Sequence, residues 1–172
     1  MIDYRPISSQ ADRDFVVSSW SSSFRTSFAA GILDMEHWAE VMHAQVERYL
    51  DRPDVRTIIA APRSDQSTIY GFIAADTTPQ LELLEGGRTR SWPALVYYAY
   101  VKAPYRRTGI ARGLFDAVGV DVRRPFLYLC KTPWASRLAG KAPDAKWQPL
   151  VARFGKVVND NASPSVQNRR PG

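Results

Sequence analysis

Residues 95–118 constrain the fold more than any other part of the chain. Leu95 to Val101 is apolar and aromatic, rich in residues that suit a pleated surface, and of strand length. Ala103-Pro104-Tyr105 interrupts it, because proline lacks a backbone donor and pins φ. Arg106-Arg107-Thr108-Gly109-Ile110-Ala111 then leads into Leu114, Phe115 and Val118, spaced like the buried face of a helix. The predicted unit is a strand, a short basic loop and a helix. The start of a helix offers unpaired N–H groups and the positive end of a dipole, which suit phosphate oxygens. Gly109 lets backbone approach a ligand closely, Ala111 adds little bulk, and the arginines add fixed charge.

The unit is neither a Walker loop nor a dinucleotide fingerprint, since it has no Gly-Lys-Ser/Thr and no further glycines at that spacing. It resembles motif A of the GNAT superfamily of N-acetyltransferases, Gln/Arg-x-x-Gly-x-Gly/Ala, through Arg106, Gly109 and Ala111. Val101 at the strand end, Pro104-Tyr105 in the linker and Leu114-Phe115 on the helix match its flanks.

At 172 residues the chain is predicted to form one domain over 1–158, with 159–172, poor in large apolar residues, as a disordered tail. No apolar run approaches the roughly 20 residues that span a bilayer, so no membrane association is expected. The start, Met-Ile-Asp-Tyr-Arg-Pro, does not read as a signal peptide, and the single cysteine, Cys130, excludes an intrachain disulfide. A cytoplasmic protein is the expectation. His37 and His43 lie six residues apart, about 600° round a helix, so they face different ways and no metal site is expected. The net charge of +6 fits an anionic ligand, a nucleic-acid partner or simply a soluble basic surface.

Along the chain, Ile2 to Ile7 reads as a first strand, and Ser8 or Ser9 as the cap of a helix carrying Phe15, Val16 and Trp20. The serine-rich stretch from Ser18 to Ser27 reads as a loop. Asp34 is the expected cap of an amphipathic helix to about Leu50. Val55 to Ala61 and Ile69 to Asp76 read as paired strands, and Thr77 to Trp92 as a long polar connection. After the central unit, Arg123-Arg124-Pro125 is expected to stop the helix before a strand over Phe126 to Cys130. Trp134 to Leu138 reads as the start of a further helix, and Trp147 to Phe154 as a last apolar segment.

This α/β alternation predicts a mixed sheet flanked by helices. Its order, β-α-α-β-β-β-α-β-α, is that of the GNAT fold, in which the fourth and fifth strands splay apart. The resemblance implies acetyl-CoA as co-substrate. Its pyrophosphate is expected on Arg106, Arg107, Thr108, Gly109, Ile110, Ala111 and Arg112, and its pantetheine on backbone near Tyr100 and Val101. It also implies an N-acetyltransferase in which an amine attacks the thioester directly. The acceptor class stays open among protein, small molecule and nucleic-acid base.

The strand over 95–101 lacks the glutamate or histidine that many such enzymes carry there, and Thr132 to Lys141 lacks the usual acid tyrosine. Tyr97, which alternation places with Leu95 and Ala99, and Tyr128, on one face with Cys130, are the candidate catalytic groups. For Tyr97, as for Tyr98 and Tyr100, core packing is the competing reading. A non-catalytic coenzyme-binding module and a basic nucleic-acid-binding protein are the competing readings.

Overall fold

A computed structural model describes residues 1–23, 35–78, 82–85, 88–130 and 145–147. In chain order its elements are β1 (Ile2–Pro6), α1 (Gln10–Ser23), α2 (Met35–Leu50), β2 (Arg56–Pro62), β3 (Gly71–Asp76), β4 (Glu82–Glu85) and β5 (Arg88–Ser91). There follow β6 (Leu95–Val101), a 3-10 turn (Ala103–Tyr105), α3 (Ile110–Val118), β7 (Phe126–Tyr128) and β8 (Ala145–Trp147). Six strands form one sheet in the order β1-β2-β3-β6-β7-β8. The first four pair antiparallel, whereas β6–β7 and β7–β8 are parallel.

The sheet is covered on both faces, so its central strands bury both sets of side chains, as β3 does throughout. On one face Val16, Val17 and Trp20 of α1 and Val46 of α2 pack on Ile59, Phe72, Tyr97 and Tyr98. On the other, Ile110, Leu114, Phe115 and Val118 of α3 pack on Ile58, Ile73, Val96 and Phe126. Each of those four α3 side chains is at most 2% exposed, a burial that stabilises by roughly 1.5–3 kcal/mol apiece. They recur at the predicted helical spacing.

Helix α1 begins where serine can cap it: the Asp12 N–H donates to Ser9 Oγ at 3.1 Å. It then runs to Ser23, through the first part of the expected serine loop. Burial of Trp20, which is 1% exposed, outweighs the weak helix preference of the serines around it. The expected cap Asp34 lies outside the described residues.

Helix α3 ends at Gly119, earlier than the expected stop at Arg123-Arg124-Pro125. Gly119 adopts φ 91°, and the N–H of Val120 donates to the Phe115 carbonyl at 2.9 Å, closing the helix with a glycine cap. The Thr77 to Trp92 connection contains a separate two-stranded sheet, β4–β5, so the strand expected as fourth is β6 and the fifth is β7. The strand over 126–130 is shorter than expected and stops at Tyr128. Among the described residues Ala145–Trp147 forms the sheet's last strand, and it meets the expected segment, Trp147 to Phe154, only at Trp147. The expected helix at 134–138 and the tail at 159–172 lie outside the described residues.

Candidate functional site

β6 pairs with β3 along its whole length but with β7 only at Leu95 and Val96. The last cross-link between β6 and β7 is the Leu129 N–H donating to the Val96 carbonyl at 3.0 Å. Past it no further β6–β7 pairing is made, and among the described residues one edge of β6 has no strand neighbour from Tyr97 to Val101. The Lys102 N–H donates to the Tyr70 carbonyl at 2.8 Å, so by alternation the backbone groups of Lys102 and Tyr100 face β3. Those of Ala99 and Val101 face the open edge. Of the two residues expected to offer backbone there, Val101 does and Tyr100 does not.

The register of β3 and β6 shifts between Ala74↔Tyr98 and Ala75↔Val96, so β6 carries one extra residue, Tyr97, as a bulge. The bulge overturns the expected alternation. Tyr97 and Tyr98 both pack in the cluster beneath α1 and α2, with Tyr100 against it, while Ala99 and Val101 pack on the α3 side. Tyr97 is 2% exposed, and the Arg52 guanidinium lies 5.8 Å from its ring centroid.

Tyr128 and Cys130 do not share a face. Tyr128 packs on the α3 side and Cys130 on the α1/α2 side, because β7 ends between them and extended alternation ends with it. Burial pushes the Tyr98 phenol and the Cys130 thiol up to about 12, and it also raises Tyr128. All three therefore carry their protons at neutral pH. Cys130 is correspondingly a poor covalent acyl carrier, since the thiolate is the nucleophile.

The loop after β6 is tightly built. The Thr108 hydroxyl donates to the Tyr105 carbonyl at 2.7 Å, and the Tyr105 ring stacks on Tyr70 with centroids 3.9 Å apart. The Arg106 Nε donates to the Val101 carbonyl at 3.0 Å. Arg107 adopts φ 68° and Gly109 φ 88°. The left-handed region costs a side-chain-bearing residue such as Arg107 about 1–2 kcal/mol, and strain of this kind gathers at ligand-binding loops. The first bond inside α3 is the Gly113 N–H to the Gly109 carbonyl at 3.1 Å. The N–H groups of Ile110, Ala111 and Arg112 thus have no acceptor within the helix. Nothing lies within 4 Å of where a Gly109 side chain would begin, and Arg106, Arg107, Thr108 and Arg112 are exposed around it. The seven residues expected to hold phosphate run from the loop after β6 into the first turn of α3.

Sequence reasoning missed a ring stack beneath α1 and α2 that takes in Tyr98 of β6. Trp20 lies between Tyr49 at 5.8 Å and 13° and Tyr98 at 5.3 Å and 10°. The spacing of Trp20 four residues after Val16 was its only local signal. Gly71 was missed in its structural role too. A Cβ there would land on the Tyr100 carbonyl oxygen, so glycine is what lets β3 approach β6.

No protein-family model matches the chain, nor does any curated protein. Solved structures do. A ribosomal-protein-alanine N-acetyltransferase from Brucella melitensis biovar Abortus 2308 aligns with 91% of this chain and 99% of its own, at 18% identity and a TM-score of 0.50. The aminoglycoside N-acetyltransferase AAC(6')-Iy, in complex with a bisubstrate analogue, aligns over 91% and 99% at 15% identity and a TM-score of 0.49. A Desulfovibrio desulfuricans protein described as a GNAT-family acetyltransferase aligns over 69% of this chain and 63% of its own, at 16% identity and a TM-score of 0.40. The chain thus spans less than two thirds of that last structure. At such identities the likeness is one of fold, and the fold is the mixed α/β sheet of the GNAT acetyltransferases.

Proposed function

We propose that this chain is an acyl-CoA-dependent N-acyltransferase that takes its acyl group from acetyl-CoA and passes it to an amine. The observation that carries the reading is the opening of β6 and β7 past Val96 directly beside the strained N-terminal turn of α3. The residues fit the coenzyme. Backbone N–H groups at the start of α3 and the left-handed turn at Arg107 and Gly109 suit a pyrophosphate. Arg106, Arg107 and Arg112 supply charge around it, and the free edge at Ala99 and Val101 suits strand-like pairing with pantetheine amides. When bound, the coenzyme supplies an activated thioester, whose transfer forms an N–C bond, breaks the C–S bond and moves one proton from nitrogen to sulfur.

The chain's own part is to hold donor and amine together in a dry cleft and to handle that proton. Positioning of this kind supplies much of the rate in such a reaction. Tyr128, half-buried at the end of β7 with its proton retained, is the group suited to serve the departing sulfur. Tyr97, enclosed beneath α2, is the weaker of the two catalytic candidates.

A second reading is favoured by one observation. Tyr98 and Cys130, which lie just past the last pairing of β6 and β7, both stay protonated at neutral pH and so cannot deprotonate an ammonium. A chain that binds coenzyme without transfer would need no base.

Calorimetry and thioester turnover separate the readings. The wild type is expected to bind CoA, and Gly109→Val to lose binding while keeping its fold. Valine at φ 88° is strained, yet its Cβ meets no neighbour. Equal affinity in the variant would remove the loop from the donor site. Binding without turnover on amines, proteins or DNA would favour the module, and salt-sensitive DNA binding indifferent to CoA would favour a nucleic-acid role.

A further inference from the structure

The turn that follows β6 is knotted to the start of β3 by backbone and ring contacts. The Lys102 N–H donates to the Tyr70 carbonyl at 2.8 Å, and the Tyr105 N–H donates to the Lys102 carbonyl at 3.0 Å. The Tyr70 and Tyr105 rings stack with centroids 3.9 Å apart and planes inclined by 28°. Both rings pack against the cluster beneath α3, yet both residues stay partly exposed. The same short stretch carries three cations, Lys102, Arg106 and Arg107. The Lys102 ammonium lies 4.7 Å from the Phe15 ring centroid, and the Arg106 Nε bonds the Val101 carbonyl. Among the described residues none of the three meets a carboxylate, whereas Arg5, Arg13, Arg52 and Arg123 each hold one.

We propose that Lys102, Arg106 and Arg107, together with the Tyr70–Tyr105 stack, form a binding surface for single-stranded nucleic acid. Positive charges that no carboxylate neutralises suit a run of phosphates, and the net charge of +6 draws a polyanion toward them. The aromatic pair beside them offers a π-face to an unstacked base, the combination by which single strands are held without reading of sequence. A duplex keeps its bases stacked on one another and gains nothing from the rings. An anionic lipid surface would satisfy the cations and leave the rings without a role. The knot is already folded, because the Thr108 hydroxyl and the Arg106 Nε tie the loop to its own backbone, so binding has little left to order. The surface stands independently of the donor reading. Arg106 and Arg107 belong also to the turn assigned to the coenzyme, so coenzyme and strand compete for them.

Fluorescence anisotropy of a labelled oligothymidylate of about twelve nucleotides, titrated with the full chain, tests the surface. The strand should bind about tenfold or more tightly than a duplex of equal length. Its log affinity should fall with log salt at a slope of about −2, from three cations at about −0.7 each. Lys102→Gln should make that slope shallower by about 0.7 and leave CoA affinity, measured by calorimetry, within about twofold. Tyr70→Leu, which keeps an apolar side chain against the α3 cluster, should weaken the strand about tenfold. Should the leucine variant fail to fold, Lys102→Gln, at a partly exposed position, still decides the matter. Equal affinity for strand and duplex, or a salt slope unmoved by Lys102→Gln, overturns the surface. So does an oligothymidylate left in place by CoA that calorimetry shows to be bound. Vesicles rich in phosphatidylserine that bind where the oligothymidylate does not would assign the cations to lipid and overturn it as well. A chain that binds CoA but no oligothymidylate loses this surface and keeps the donor site. One that binds oligothymidylate but no CoA overturns the donor reading and leaves the surface standing.

Discussion

The Arg106 side chain reaches back across the turn after β6 and donates from Nε to the carbonyl oxygen of Val101 at 3.0 Å. That carbonyl is the last on the open edge of the strand. Arg106 therefore fixes the end of the edge relative to the turn before α3, and among the described residues its other guanidinium nitrogens make no hydrogen bond.

Replacing that arginine tests the coupling. Arg106→Lys keeps the charge but loses the planar fork that bonds the strand and still presents donors outward. CoA affinity should fall about tenfold, equivalent to about 1.4 kcal/mol, with little change in the urea midpoint. Titration calorimetry that gives unchanged affinity would show the loop to be positioned without it.

Two glycines should respond differently to alanine. At Gly71 the new Cβ would land on the Tyr100 carbonyl oxygen and lie 3.0 Å from the Val101 Cα, both backbone atoms of β6. Gly71→Ala should cost about 2–3 kcal/mol in urea unfolding and should weaken CoA binding by shifting the strand. At Gly113 the obstacle is the Tyr4 ring, a side chain on the edge strand β1 that can swing away. The gain of about 1 kcal/mol in helix preference offsets that movement. A Gly113→Ala loss as large as that of Gly71→Ala would contradict this assignment of the two contacts.

Asp12 gives the fold an acid-sensitive tie. Arg5 grips its carboxylate with two hydrogen bonds, of 2.6 and 2.9 Å, and the Ser8 N–H adds a third at 3.0 Å. The Arg5 guanidinium holds the Asp12 carboxyl well below the usual carboxylate range. An unfolded aspartate ionises near about 3.9, so below that pH the unfolded chain binds a proton that the folded chain refuses. The stabilisation is fully present above about pH 4 and is lost as pH falls further toward the depressed folded value. Asp12→Asn should cost about 2–3 kcal/mol at pH 7, less than for a fully buried pair because Arg5 keeps some exposure. The difference from wild type should shrink as unfolding is followed below pH 4, and a difference constant down to pH 2 would sink the claim.

Cys130 should be slow to alkylate. With its ionisation near 12, the thiolate fraction at pH 8 is about one part in ten thousand, against roughly one in four for an ordinary thiol of pKa about 8.5. Iodoacetamide labelling followed by mass spectrometry should run about a hundredfold or more slower on the native chain than on the chain in urea. Equal rates would mean that the thiol is not held in the buried environment that raises its ionisation.

Much of the fold was legible because its signals are local. Pro104, Gly109 and the spacing of Ile110, Leu114, Phe115 and Val118 dictate a turn and an amphipathic helix whatever surrounds them. Ser9 followed by Asp12 likewise marks the start of α1. The end of α3 was misplaced because a Gly119 cap and a Pro125 stop are both plausible locally, and the bond from Val120 to Phe115 decides between them. The hairpin β4–β5 was hidden in a stretch whose composition is that of a loop.

By itself the sequence determined a strand, a basic left-handed turn and a helix, and with them a place for phosphate. Only the tertiary structure decided what stands at the other end of that strand. The bulge at Tyr97 arises from register between β3 and β6, and the open edge from how far β7 follows β6. Both are relations between strands distant along the chain, and one extra residue in a strand turns every later side chain to the opposite face. That is why Tyr98 faces Trp20 and why Tyr128 and Cys130 part company.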